Sequence, residues 1–445
     1  MRKPKTKGKS QENNPKSFRG KRTEKREDSK SNRSFRSRPK RNGGGGRSSG
    51  GRSGGGSRFK KQQLDPNTLI NKTLTQTEKK EVVTRSFASL PLHAKLQSRL
   101  KVKKFVNTTE IQDKTIEMIL EGENIMGIAN TGTGKTGAFL IPIIERLLYN
   151  KKKNKSIVLV PTRELAQQVE TEFKSLTKGL QIYSHCLIGG TNINKDVSKL
   201  RREAHIIIGT PGRVNDMLNR RALKLFDTTN LVLDEFDTML DMGFQQEVLK
   251  IVDQMPNRQQ TILFSATQTE KQKSVIQTLM PEYEKVRVSQ GESNTDNIYQ
   301  DVIRVESPEE KNQILQELLQ RKGYRKVLIF LDTKRQVTRL YQQLKKNDFR
   351  VDEIHGDKSQ NYRSKAIQNF KSGKIQVMVA TDVASRGIDI DNISLVVNYH
   401  IPGSRESYVH RIGRTGRAGK EGHAITFVQK SGSQSAKPRQ TKPSS

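Results

Sequence analysis

From residue 82 onward, short apolar runs alternate with amphipathic stretches, and this alternation organises most of the chain. Runs at 124–128, 156–160, 183–188, 205–209, 231–233, 261–265 and 285–289 have the length and character of buried strands. Between them, 163–176, 245–255 and 270–280 repeat apolar residues at helical spacing. Strands alternating with helices predict a parallel sheet covered on both faces. Residues 290–298 have no periodicity and read as a linker. A second series follows, with strands at 299–305, 326–331, 376–380, 395–398 and 423–428. Its helices fall at 308–321, 334–345, 360–370 and 404–414. The pattern predicts an α/β chain of two tandem domains, 82–289 and 299–429.

The flanks differ in kind. Residues 1–63 carry 22 Lys/Arg against 4 Asp/Glu, much of it in Gly/Arg/Ser repeats. So few apolar side chains cannot offset chain entropy, and this basic tail is expected to be disordered, as are residues 430–445. The whole chain has a formal charge of +36, which points to a polyanionic partner rather than a small neutral substrate. A basic tail of this kind neutralises phosphates with little sequence preference. The one cysteine, Cys186, excludes an internal disulfide and suits a reducing compartment. It lies in an apolar run and reads as a small buried hydrophobe. No apolar leader, 18-residue apolar run or zinc-spaced Cys/His cluster is present, so a cytoplasmic protein off the membrane is expected.

Chemistry enters at 129–136, Ala-Asn-Thr-Gly-Thr-Gly-Lys-Thr, between a predicted strand and a predicted helix. Glycines let successive N–H groups turn toward an anion, and the helix N-terminus points its positive end at the same spot. Lys135 is placed to reach the β/γ-phosphates and Thr136 to ligate Mg2+, as in a P-loop whose first glycine is replaced by Ala129. About a hundred residues on, Leu-Val-Leu runs into Asp234-Glu235-Phe236-Asp237. Carboxylates at a strand end opposite a phosphate loop assign Asp234 to the metal and Glu235 to the attacking water. Arg414 and Arg417, three apart, present two guanidiniums from the second domain that can stabilise charge on a γ-phosphate.

These motifs continue in order: 161–166 (Pro-Thr-Arg-Glu-Leu-Ala), Gly189-Gly190, 210–213 (Thr-Pro-Gly-Arg) and 265–267 (Ser-Ala-Thr). In the second half come 329–333, 355–363, 380–389 and 408–417. The chain resembles a DEAD-box RNA helicase of the stand-alone bacterial kind from about Phe87 to Val428. The resemblance implies two RecA-like domains, ATP and Mg2+ as cofactors, RNA as the partner and a monomer. It leaves ribosomal or RNA-decay proteins open as further partners.

On the nucleotide, it implies that the loop residues Ala129, Gly132, Thr133, Gly134, Lys135 and Thr136 hold phosphate, and that Gly387 and Asp389 reach it from domain two. It also implies that Phe87 stacks on adenine while Gln112 reads its edge; residues 109–112 equally read as a helix capping box. Asp237, Ser265, Thr267, His410 and Arg411 are implied to couple the sites. Arg163, Gly190, Thr210, Arg213, Gly356, Arg363 and Thr381 are implied to contact the RNA backbone. Small residues and helix N-termini suit contacts that ignore base identity.

Several residues depart from the family pattern. Lys104 and Thr108 replace the usual Gly and Pro of the adenine-reading element. Phe236 replaces the alanine of the acidic tetrad and is expected to overpack the strand end by ~1–3 kcal/mol unless its neighbours are smaller. His400 replaces an Asp that would partner an Arg such as Arg411. No helix follows the strand at 423–428, which predicts uncovered sheet surface in domain two. The expected activity is ATP-driven local unwinding of RNA duplexes; an ATP-gated RNA clamp with slow hydrolysis is the alternative.

Overall fold

The computed structural model describes residues 64–70, 84–288 and 297–430, apart from 131, 386–389, 391 and 417–419. The tail 1–63, most of the linker, the C-terminal tail beyond Lys430, and the candidate residues Gly387, Asp389 and Arg417 lie outside the described residues.

The predicted alternation becomes two parallel sheets. The first contains β1 (Ile125–Ile128), β2 (Lys155–Leu159), β3 (Ser184–Leu187), β4 (Ile206–Gly209), β5 (Thr228–Leu233), β6 (Gln260–Ser265) and β7 (Glu284–Arg287). Their order is β3-β4-β2-β5-β6-β1-β7. Its helices are α1 (Ala94–Val102), α2 (Glu110–Glu121), α3 (Lys135–Tyr149), α4 (Arg163–Leu176), α5 (Ile193–Leu200), α6 (Pro211–Asn219), α7 (Phe236–Asp241), α8 (Gln245–Val252) and α9 (Glu270–Leu279). Every residue of β1, β4, β5 and β6 is buried, because helices cover both faces. Two clusters of buried apolar side chains, one on each face, form the core.

The second sheet contains β8 (Ile298–Val305), β9 (Val327–Leu331), β10 (Val351–Ile354), β11 (Val377–Thr381), β12 (Leu395–Asn398) and β13 (Gly422–Gln429), in the order β10-β11-β9-β12-β13-β8. Around it lie α10 (Pro308–Gln320), α11 (Lys334–Lys346), α12 (Gln360–Lys371), α13 (Asp382–Ser385) and α14 (Arg405–Ile412). The edge strand β10, Val-Asp-Glu-Ile, has no clean apolar alternation and is not among the strands that the pattern predicts.

Without a final helix, some sheet surface of domain two was expected to lie uncovered. Part of it, the face of β8 and β13 beside α14, is covered by residues 64–70, while β8 keeps Tyr299 and Arg304 exposed. Leu69, 2% exposed, packs into a cluster with Ile298, Tyr408, Ile412 and Ala424, and Leu64 lies against the same cluster. An apolar sheet face buries itself against whatever apolar segment can reach it, here residues upstream of the first domain.

Candidate nucleotide and nucleic-acid site

Parallel strands end together, so the loops after β1, β5 and β6 meet along one sheet edge. The phosphate loop follows β1, Asp234 follows β5, and Ser265 ends β6. Backbone bonds fix this edge: the Ala129 N–H donates to the Ser265 carbonyl at 3.0 Å, and the Asp234 N–H to Leu159 at 3.1 Å.

Gly134 precedes α3 in the left-handed region at φ 92°, and a Cβ there would lie 2.7 Å from Gln112 Nε2. Only glycine meets both demands. Lys135 is buried and its ammonium donates to the Ala129 carbonyl at 3.0 Å, so it already spans the mouth of the loop.

Of the two roles that the sequence left open for Gln112, the structure shows the cap. Its Oε1 accepts from the Thr109 N–H at 2.9 Å, completing the capping box of α2. Its Nε2 donates to the Gly134 carbonyl at 2.9 Å, tying the cap to the phosphate loop.

The aromatic assignment needs correction. Phe87 is 3% exposed and sits in the domain-one core, edge-on to Phe105 with ring centroids 5.5 Å apart. It is Phe105, with Gln112, Gly134 and Thr136, that lines a cleft of about 1190 Å³; Ile367 and Lys371 of α12 line the far wall. Sequence spacing picked the buried ring because it cannot tell a core aromatic from its half-exposed neighbour. Lys104 takes the backbone shape of the glycine it replaces, with φ 60°, so the loop keeps its turn at some strain. Thr108 is buried and its hydroxyl donates to the Arg85 carbonyl at 3.0 Å.

Asp234 and Glu235 are both buried. Burial pushes each carboxyl above the usual range; the Lys135 ammonium opposes this at Asp234, and the Arg414 guanidinium does so at Glu235. Glu235 is itself in the left-handed region, at φ 52°, where a non-glycine residue is strained. Asp237 Oδ2 accepts from the Ala266 N–H at 3.0 Å and the Thr267 N–H at 3.2 Å, which joins the acidic run to the end of β6. The Ser265 hydroxyl donates to the Thr267 carbonyl at 2.6 Å.

Phe236 does not disturb this arrangement. Its ring is 0% exposed and packs in the same cluster as Leu233, Met239, Val248 and Leu263, so the neighbours make room for it.

The buried Asp234 carboxylate with the Thr136 hydroxyl is a hard oxygen set that fits Mg2+. Among the described residues no three His, Cys, Asp or Glu side chains gather around a metal position. Such a site relies on phosphates and water for its remaining ligands.

In domain two, Arg411 finds partners without the missing Asp. Its Nε and Nη2 each reach an Asp382 carboxylate oxygen at 2.6 Å, and Nη2 lies 3.5 Å from Asp332. His400 Nδ1 sits 3.3 Å from the same Asp332, and the contacts from His400 and Arg411 hold that carboxyl below its usual range. Substitution of the Asp therefore leaves Arg411 anchored inside its own domain. Arg414 lies just past α14 and is buried; His410 is half-buried on the helix.

The candidate nucleic-acid residues divide. The Arg163 guanidinium lies over the Gly189-Gly190 turn, where a Cβ on Gly190 would come 2.2 Å from Arg163 Nη1. Gly356 is exposed and Thr381 half-buried at the end of β11. Thr210 is buried at the N-terminus of α6. Arg213 is not offered to a ligand: it is 5% exposed and bonded to Asp196 at 2.8 Å and the Thr191 carbonyl at 2.9 Å. A buried guanidinium needs such partners, and here it braces the loop that follows Gly190. Arg363 is likewise engaged, donating at 2.7 Å to Glu164 of α4, with Gln360 donating to Glu164 at 3.1 Å. Those bonds join α12 of domain two to domain one.

Residues 109–275 match the DEAD/DEAH box helicase family model, and 310–419 match the helicase conserved C-terminal domain. The chain is 41% identical over 343 residues to the ATP-dependent RNA helicase CshA of Listeria monocytogenes, covering 77% of this chain and 66% of that one. It is 40% identical to the ATP-dependent RNA helicase CshA of Limosilactobacillus reuteri, covering 77% of this chain and 69% of the relative. About a third of each relative therefore lies outside the match. Among solved structures, S. cerevisiae Dbp5 bound to RNA and ADP BeF3 superposes with a TM-score of 0.69 at 30% identity, covering 77% of this chain and 89% of Dbp5. The matches run through both sheets in the order of the motifs, and at this identity and coverage the chain belongs to the DEAD-box helicase family.

Proposed function

We propose that the chain is an RNA-stimulated ATPase that couples hydrolysis to local separation of short RNA duplexes. The observation that carries it is the cleft between the domains, lined by Gln112, Gly134 and Thr136 from domain one and by Ile367 and Lys371 from domain two, with Arg363 and Gln360 bonded across it to Glu164. A site divided in this way works only when the cleft is closed.

Phe105 and Gln112 hold the base, and the 132–136 loop with Lys135 cradles the phosphates. Asp234 and Thr136 would hold Mg2+, which would supply neutralisation of the phosphate charge. Glu235 orients the attacking water and accepts its proton, and Arg414 meets the charge that develops. Gly387, Asp389 and Arg417 are assigned to the nucleotide from domain two. Asp237, bonded at the end of β6, transmits the state of the phosphate site toward Thr267 and His410. Arg163, Gly190, Gly356 and Thr381 contact the strand through its backbone. Arg213 and Arg363 act one step back, through the loop and the closed interface they hold.

The relatives' names and the RNA bound to Dbp5 support RNA as the nucleic acid. The alternative of an ATP-gated RNA clamp drew on Phe236, the shortened second domain and the basic tail; the burial of Phe236 among apolar neighbours weakens the first of these grounds. Among the described residues no helix is long and apolar enough to cross a membrane.

The test is the ATPase rate with no nucleic acid, single-stranded RNA, duplex RNA and DNA, with release of a short duplex followed alongside. RNA stimulation that Glu235→Gln abolishes by about a hundredfold or more supports the proposal. Equal stimulation by DNA, or hydrolysis without strand release, refutes it.

A further inference from the structure

Residues 64–70 precede the first domain in sequence yet pack on the second. Asp65 caps a single 3-10 turn, Pro66–Leu69, its carboxylate accepting from the Asn67 N–H at 2.9 Å. Pro66 presets the φ that the turn needs. The turn delivers Leu69 to Tyr408 and Ile412 of α14 and to Ile298 and Ala424 of the sheet. The Tyr408 hydroxyl lies 2.9 Å from Gln300 Oε1 and 3.3 Å from the Leu69 carbonyl oxygen. At the rim, Arg304 donates to the Asn67 side chain at 2.7 Å.

We propose that residues 64–70 buttress α14, and that Leu69 is a positioning residue which fixes Arg414 opposite Glu235. The proposal rests on the ATPase reading above. An eight-residue helix has no stability of its own, so its place is set by what packs on it. On one side α14 is held by the Arg411 pairs to Asp382 and Asp332. On the other side Tyr408 and Ile412 meet the sheet and the strap. Arg414 lies two residues beyond the end of the helix, so any tilt of α14 is carried directly to it.

Seven residues bury too little surface to bind as a free peptide. Covalent linkage to the first domain gives them a high effective concentration at the second. The strap therefore makes a segment contiguous with the ATP-binding domain responsible for the arginine on its partner. Leu69 sits at the only apolar position of the turn, Pro-Asn-Thr-Leu, that enters the cluster, so one substitution can remove the contact.

The test measures kcat and KM for ATP in RNA-stimulated hydrolysis for five proteins: the full chain, truncations lacking 1–63 or 1–70, Leu69→Asp and Leu69→Met. Thermal unfolding and hydrogen exchange are followed on the same samples. Leu69→Met should keep kcat within about twofold of the full chain, and the truncation lacking 1–63, assayed at saturating RNA, is the baseline for the truncation lacking 1–70. Removal of 1–70 and Leu69→Asp should lower kcat about tenfold or more with KM for ATP within about twofold, since the base and phosphate loop belong to domain one. In both, α14 amides should exchange faster while β9 and β11 keep their protection. An unchanged kcat in Leu69→Asp and the longer truncation overturns the proposal. So does loss of protection across the whole second sheet, which would mean that the strap only stabilises the domain. Absence of ATPase in the full chain would refute the proposed function itself; acceleration confined to α14 would still show the strap docked there.

Discussion

Replacing Phe236 by the alanine usual in the family's tetrad should harm this chain. The ring is 0% exposed and shares its cluster with Leu233, Met239, Val248, Leu263 and Ile276. Truncation removes the transfer free energy of a buried aromatic, about 1.5–3 kcal/mol, and leaves a void the packed strand end cannot fill. Together these give a loss of about 3–5 kcal/mol. For a domain near 200 residues, each kcal/mol moves the midpoint by about 2–4 °C, so the first-domain transition should fall by about 6–20 °C. Activity should suffer too, because α7 starts at Phe236 and Asp237 holds Ala266 and Thr267. Calorimetry of the full chain, with each domain's transition assigned separately, reads the effect. Phe236→Leu should recover most of it. A gain in stability for Phe236→Ala, or a loss under about 1 kcal/mol, would mean that the ring is overpacked and the packing argument is wrong.

Lys104→Gly removes the strain of a left-handed lysine and should stabilise the first domain by about 0.5–1 kcal/mol in urea unfolding; a loss would show that the lysine stem packs. Burial pushes the Cys186 thiol up to about 12 from 9.0, so native labelling by iodoacetamide at pH 8 should run about a thousandfold slower than in denaturant. Burial lowers the Lys311 ammonium to about 8 from 10.5. Between those two values the unfolded chain holds more protons, so stability should rise with pH across that window. Lys311→Met should flatten the rise; parallel pH curves would contradict the assignment. Deleting residues 1–63, which carry 22 Lys/Arg, should weaken RNA binding and flatten its salt dependence, as a titration in rising salt would show.

Much of the site was legible from residue order alone. The phosphate loop, the 234–237 run and the 265–267 turn each sit at the end of an apolar run, and parallel strands necessarily bring such ends to one edge. The helix 163–176 was legible because its apolar residues recur at helical spacing; the structure adds the Thr162 cap. What escaped was of three kinds. Phe87 and Phe105 are both aromatic residues near Gln112, and only packing shows which one is spent in the core. Arg213 and Arg363 look like phosphate ligands in sequence, yet burial obliges each to take a carboxylate. The covering of β8 and β13 came from residues too few and too irregular to show any period.

The sequence by itself determined the class of fold, the phosphate loop and the acidic run, because periodicity and local turn chemistry act over short stretches of chain. The tertiary structure alone decided which arginines remain for a ligand, which ring faces the cleft, and that residues 64–70 belong to the second domain. Those outcomes depend on contacts between residues hundreds of positions apart, where burial selects a partner that no local pattern records.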